Sequence, residues 1–115
     1  MPIELQGLGR HIHELLVLAQ LKRGPMHGYE LARRVREQSA GSVVLHHGTL
    51  YPILHRLERQ RLIRSEWRET GERRRRIYSL THAGASHLRE STGKLKGSFT
   101  QLLHILSDSG SPVRL

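Results

Sequence analysis

Apolar residues near the start of the chain fall at helical spacing. Ile12, Leu15, Leu16 and Ala19 form one stripe, while Leu18 and Leu21 lie off it. A helix over about 10–23 that is apolar around more than half its circumference has two sides to bury. One side can meet the domain's own core and the other a second subunit. Residues 1–8 carry weak apolar marks and a glycine, and read as a loose lead-in. Gly24-Pro25 stops the first helix. Gly28 opens a second, Tyr29 to Gln38, with Leu31 and Val35 inward and Arg33, Arg34, Arg36 and Glu37 mostly outward. Ser39-Ala-Gly-Ser42 is a turn-rich break, and the apolar run Val43-Val-Leu45 reads as a short extended strand.

Residues 46–63 pattern as a helix with two unlike faces. At about 100° per residue, Leu50, Ile53, Leu54 and Leu57 share one side. Pro52, His55 and Arg59 lie opposite, flanked by Tyr51 and Arg56. Pro52 belongs in a first turn, because it lacks an N–H and clashes with the carbonyl four residues back. The expected N-cap is therefore Gly48 or Thr49, with Thr49 chemically the better.

From Leu62 the period changes to two. Ile63-Arg-Ser-Glu-Trp67-Arg-Glu69 and Arg74-Arg-Arg-Ile77-Tyr-Ser-Leu80 flank Thr70-Gly71-Glu72-Arg73, a hairpin signal. A turn centred on Gly71-Glu72 sets Ile63 opposite Leu80, Ser65 opposite Tyr78 and Trp67 opposite Arg76, with an arginine over the indole. Thr81 is the expected cap of a last helix reaching about Ser107, ended by Ser109-Gly-Ser-Pro112. Along it Leu88, Thr92, Leu95, Phe99, Leu102 and Leu106 make a heptad seam, weakened by Gly93 and Gly97. Such a helix, roughly 39 Å long at 1.5 Å per residue, outruns a domain this small. Intersubunit packing is therefore expected through Leu88, Leu95, Phe99, Leu102 and Leu106 of the seam, together with Ile12 and Leu16 of the first helix.

Helix, helix, helix, hairpin, long helix is the order of a winged helix-turn-helix. The fold class is mainly α with a small β-hairpin wing. Residues 1–80 form the winged unit, and 81–115 a C-terminal dimerisation helix and tail, in one compact body.

Composition sharpens this. The 115 residues are 37% apolar with one Phe and one Trp, so the core is small and mostly aliphatic. Oligomerisation is a common remedy for such a chain. Lys and Arg number 19 against 10 Asp and Glu, a formal +9. Arginine dominates, which favours bidentate recognition of phosphate or guanine over a diffuse lysine tail. The charge concentrates at the two-faced helix and the hairpin, where Arg73, Arg74, Arg75 and Arg76 sit at and just after the tip. Neighbours on a strand point to opposite faces, so about two of the four can touch one groove. Helix and wing together point to double-stranded DNA, and the sparse aromatics speak against a single-strand stacking platform. The expected DNA-binding residues are His47, Thr49, Tyr51, Pro52, His55, Arg56, Arg59 and the four wing arginines.

Other chemistries find little support. With no cysteine, disulfides, thiolate zinc sites and a Cys nucleophile are excluded. No Ser/His/Asp set, phosphate loop or diagnostic acid pair is present, and the chain reads as non-enzymatic with no cofactor. No signal-peptide core or apolar run near 18 residues occurs, so a cytoplasmic location without membrane contact is expected. Nine histidines include His11-x-His13, His46-His47, and His82 with His87, none at the helical i,i+4 pairing of a metal site. No metal site is assigned. A metal-responsive sensor using these histidines, a nonspecific architectural DNA-binding protein, and an interaction module with an incidental basic surface stay open as alternatives.

Four stretches resemble the PadR family of transcriptional regulators: Gly24-Pro-Met-His-Gly-Tyr-Glu-Leu31, Gly48-Thr-Leu-Tyr-Pro-Ile-Leu-His-Arg-Leu-Glu58, Arg61-Leu-Ile63 and Tyr78-Ser-Leu-Thr-His-Ala-Gly84. Together with the intervening wing they span about residues 12–88. The resemblance implies a homodimeric winged-helix repressor on a palindromic operator, often relieved by a small aromatic or drug-like effector. A single C-terminal helix resembles the family's shorter branch. By position, Thr49, Leu50, Tyr51 and Pro52 map onto its recognition-helix motif and residues 73–76 onto its wing. His46-His47 departs from the pattern, so operator preference does not carry over.

Overall fold

The computed structural model describes residues 5–108. A single 3-10 turn, Leu5–Gly7, leads into α1 (Leu8–Leu21), followed by β1 (Met26–His27), α2 (Gly28–Gln38), α3 (His47–Arg59), β2 (Ile63–Thr70), β3 (Arg73–Leu80) and α4 (His82–Asp108). Residues 1–4 of the expected lead-in and the stop signal at 109–112 lie outside the described residues.

The amphipathic patterns place the core. Leu15, Leu18 and Leu21 of α1, Leu31 and Val35 of α2, and Leu50, Ile53, Leu54 and Leu57 of α3 are buried together with Ile63, Tyr78 and Leu88. Buried Gln20 joins them without an orphaned amide, since its Nε2 donates to Gln38 Oε1 at 2.7 Å and ties α1 to the end of α2. Both helices of the helix-turn-helix end alike. After α2, Gly41 N–H donates to Arg36 O and Ala40 N–H to Glu37 O; after α3, Leu62 N–H donates to Leu57 O and Arg61 N–H to Glu58 O. These are Schellman closures, which require a left-handed residue just past the helix, and here non-glycines fill it: Ala40 at φ 52° and Arg61 at φ 61°.

The wing follows the expected register. Ile63 pairs with Leu80, Ser65 with Tyr78 and Trp67 with Arg76, around the two-residue turn Gly71-Glu72. Gly71 takes φ 67° at the first turn position, the left-handed conformation that matches strand twist in primed hairpin turns. The hairpin is only part of the sheet, however. Met26 pairs with Tyr78 and His27 with Ile77, so the strand order is β1-β3-β2. A two-residue strand has no periodicity to reveal it.

Two local expectations give way. Val43-Val-Leu45 is not a strand: the Val43 N–H goes to the Ser39 hydroxyl at 3.0 Å, and only Leu45 is buried, as a plug beneath the loop. Also, α3 starts at His47 with His46 as N-cap, earlier than Pro52 alone suggests. The Thr49 and Leu50 N–H groups both reach the His46 carbonyl, so the helix is established before Pro52. The carbonyl that Pro52 leaves without a helical donor belongs to Gly48, an exposed residue that water reaches.

Thr81 caps α4, accepting from Gly84 N–H at 3.0 Å, while its own hydroxyl donates to the Arg61 and Leu62 carbonyls. The helix then leaves the body of the protein, whose extents are 66 × 28 × 23 Å. Along the heptad seam Leu88 is buried in the domain's own core, Leu95 and Phe99 are half-buried, and Leu102 and Leu106 are exposed. Ile12 and Leu16 of α1 are half-buried. Among the described residues no helix is long and apolar enough to cross a membrane.

Candidate nucleic-acid interface

With Leu50, Ile53, Leu54 and Leu57 turned into the core, α3 presents His47, Pro52, His55 and Arg59 outward. Thr49 and Tyr51 lie half-buried at the margin. Tyr51 stacks on His47 with ring centroids 5.4 Å apart, and its hydroxyl packs so closely on Gly28 that a β-carbon there would stand 2.8 Å away. The conformation of α3's aromatic edge thus depends on a glycine in α2.

Arg56 is set apart from this face. Its Nε donates to Glu14 Oε1 on α1 at 3.2 Å, with 26% of the side chain exposed. At helical spacing Arg56 falls beside Leu57, toward α1, so its charge is met inside the domain.

The wing is bolted to α3 by a polar chain. Arg76 Nε donates to Ser65 Oγ at 2.8 Å, and that hydroxyl donates to Glu58 Oε2 of α3 at 2.7 Å. Arg76 also lies 3.7 Å from Glu58 Oε1. On the same face Arg74 and Arg76 sit 5.0 and 5.4 Å from the exposed Trp67 ring, the stacking expected from register. Arg75, on the opposite face of β3, approaches His27 Nε2 at 2.8 Å. Arg73 and Arg74 are exposed, while Arg75 and Arg76 are half-buried. The four wing arginines therefore divide by strand alternation, as their sequence implies.

Between α3, the start of α2 and the wing lies an open cleft of about 510 Å³, lined by His27, Tyr29, Tyr51, His55, Trp67 and the four arginines. A second hollow runs from α2 to the start of α3 and includes Arg33, Arg36, His46 and His47. Tyr29, Arg33 and Arg36 extend the cationic and aromatic surface past the residues picked out by sequence. The outward arginines of α2 are visible in its pattern, but their nearness to α3 is not. His27 lies within the Gly24–Leu31 stretch of the family resemblance, but nothing in its sequence setting shows that it meets Arg75 of β3.

Two groups on this surface have displaced titrations. Burial, then the nearby Arg75 guanidinium, holds His27 below the ordinary imidazole value. Burial raises the Tyr78 phenol, which therefore remains protonated beside Arg76. Among the described residues, no three His, Asp or Glu side chains gather in a way that could hold a metal ion.

A basic, aromatic helix beside a cationic hairpin makes a surface complementary in charge to a polyanion. Comparisons with known proteins agree with that geometry. Residues 17–90 match the transcriptional regulator PadR-like family. A transcriptional regulator of Mycobacterium tuberculosis is 49% identical over 49 residues, covering 43% of this chain and 46% of that protein. The chain spans less than half the length of the curated relatives it matches. Among solved structures, a PadR family transcriptional regulator from Eggerthella lenta superposes with a TM-score of 0.75 at 32% identity, over 89% of this chain and 88% of the other. PadR of Bacillus subtilis, solved in complex with operator DNA, shares the fold, with a TM-score of 0.64 at 22% identity over 70% of this chain and 46% of its own.

Proposed function

The chain belongs to the PadR-like family of transcriptional regulators, and on that premise we propose that it is a sequence-specific repressor acting as a homodimer on a palindromic operator. The observation that carries this reading is the exposed face of α3, His47, Pro52, His55 and Arg59, set beside a wing whose Arg73 and Arg74 are exposed. The helix fits the major groove, where side chains read base edges, and the wing arginines follow the phosphates. Thr49, Tyr51 and His55 take the base edges and neighbouring phosphates; Arg59 and the wing hold the backbone. A dimer centred on promoter DNA represses by excluding polymerase. A small aromatic or drug-like effector relieves the repression.

The exposed apolar end of α4 supports the dimer. Leu102, Leu103 and Ile105 are 39%, 60% and 65% exposed on a helix that projects from the domain, and burying such residues against a second copy is worth roughly 1.5–3 kcal/mol apiece. Leu102→Glu is expected to yield a monomer in sedimentation velocity and to weaken operator binding by at least roughly 100-fold, since each half-site then binds alone. An unchanged dimer would place the interface elsewhere.

His55→Ala should reduce discrimination between operator and random duplex by about 10-fold or more, with little change on random DNA, because removing one base-edge hydrogen bond costs roughly 1–3 kcal/mol of specificity. Equal losses on both duplexes would assign His55 to the backbone. The function itself is tested by footprinting the region upstream of the chain's own gene. The expected pattern is two protected, two-fold related half-sites about 34 Å apart or a multiple. Uniform protection at all concentrations would contradict sequence-specific reading.

A further inference from the structure

His27 stands where the sheet, α2 and the wing meet, and it is asked for two incompatible hydrogen bonds. As N-cap of α2 its Nδ1 is placed to accept from the Glu30 N–H at 3.3 Å. Its other nitrogen, Nε2, lies 2.8 Å from Arg75 Nη1. A guanidinium only donates, so this contact requires Nε2 to accept. A neutral imidazole has one accepting nitrogen, and the other bears the proton. If Nδ1 caps α2, Nε2–H meets the Arg75 N–H donor to donor. If Nε2 accepts from Arg75, Nδ1–H faces the Glu30 N–H and the cap is lost. The distances favour the second arrangement, because the Arg75 contact is short and the cap is long.

Strand register holds this contest in place. His27 is paired with Ile77 on β3, and Arg75 lies two residues along the same face. The other charges facing the ring belong to α2: Glu30, which raises its proton affinity, and Arg33, which lowers it. Glu30 is itself engaged by Arg34 at 2.9 Å. The Tyr29 ring lies 6.4 Å away, stacked on the imidazole. Because burial and Arg75 hold the ring below its ordinary value, it is neutral at pH 7 and has a single proton to allot.

We propose that His27 is a positioning residue that trades Arg75 for the cap of α2 when the wing engages DNA. The inference rests on the DNA-binding role proposed above. In the free protein, Arg75 is parked on Nε2 and the proton sits on Nδ1. A backbone phosphate offers Arg75 a charged acceptor, stronger than a neutral imidazole. Once Arg75 moves to it, water removes the proton from Nδ1 and returns one to Nε2, with no net change in protonation. Nδ1 then accepts from the Glu30 N–H and closes the first turn of α2. Wing engagement thereby stiffens the start of the helix whose Gly28 seats Tyr51, and the two halves of the DNA surface are linked through one ring.

Long-range ¹H–¹⁵N spectra of the imidazole, with hydrogen exchange of the Glu30 amide, test this. Wild-type protein without DNA is expected to show the Nδ1–H tautomer and an unprotected Glu30 amide. Arg75→Ala without DNA, and wild type on a saturating duplex from the upstream region, should both show Nε2–H, with Glu30 exchange slowed roughly tenfold. His27→Asn, which caps well but does not reach Arg75, should protect Glu30 with or without DNA. The same tautomer in free wild type and Arg75→Ala would overturn the contest between the two bonds. A flip in Arg75→Ala but none on bound duplex would overturn the exchange on DNA while leaving DNA binding intact. Absence of duplex binding would defeat the functional reading and the exchange together, with the Arg75→Ala arm still deciding the contest.

Discussion

Gly84→Ala is expected to destabilise the protein by about 3 kcal/mol and to lower its midpoint of thermal unfolding by roughly 10 °C or more. The position lies in the first turn of α4, where the helix crosses the start of β2. A β-carbon there would overlap the Leu62 carbonyl oxygen and stand 2.7 Å from Leu80 Cδ1. The leucine tip can move, but the carbonyl cannot do so cheaply. It accepts from the Thr81 N–H and the Thr81 hydroxyl, and Leu62 also forms the Schellman closure of α3. Any shift that relieves the overlap is therefore passed to the end of α3. Gly93→Ala is the internal control. It lies on the same helix with open space around it, and alanine there should stabilise by about 0.5–1 kcal/mol through helix propensity. Chemical denaturation of the two variants reads both signs, and equal effects would mean that the crossing at Gly84 has room for a methyl group.

The second large effect concerns the wing. The double substitution Arg73→Ala, Arg74→Ala should weaken binding to any duplex by roughly 100- to 1000-fold at about 0.15 M salt. It should also reduce the slope of log affinity against log salt by about one unit for each arginine–phosphate pair removed from the dimer. The physical reason is counterion release, which is blind to sequence, so the ratio of operator to random affinity should hardly change. These two arginines are chosen because they are exposed, whereas Arg76 is fixed to Ser65 and Glu58 and Arg75 rests on His27. Substituting Arg76 would instead loosen the wing on α3. A salt slope unaltered by the double substitution would show that the tip does not touch phosphate.

Much of this architecture was legible in the sequence, and its limits follow from how information is carried along a chain. The hairpin register could be read because alternation and the Gly71 turn act on the same short stretch, and a one-residue slip would have turned Ile63 outward. The buried face of α3 followed from spacing alone. Its start did not, because Pro52 constrains only the carbonyl four residues earlier, and that carbonyl belongs to Gly48, an exposed residue. Strand β1 is two residues long, and its existence depends on β3 arriving beside it. Charge showed that Arg56 was available, but only tertiary structure brought Glu14 to it. The same applies to His27. Its role comes from a register pairing with Ile77 and a helix start, each unremarkable until the two coincide.

The heptad seam is a similar case of local pattern meeting tertiary demand. Leu88 is buried in the domain's own core and Leu95 packs against it, so the first half of the seam serves the monomer. The apolar surface left for a second copy is the distal part, around Leu102, Leu103 and Ile105. A dimer built there would separate the two copies of α3 by the reach of α4.

Whether α3 and the wing read duplex DNA by sequence is decided by fluorescence anisotropy. The duplex upstream of the chain's own gene is compared with a scrambled duplex of equal length and composition, each titrated from about 0.05 to 0.2 M salt. Both affinities are expected to fall steeply with salt, with the upstream duplex bound roughly 1000-fold more tightly at about 0.15 M. Equal affinity for the two duplexes across the whole range, or no binding of either at the lowest salt, would contradict sequence-specific reading by this surface.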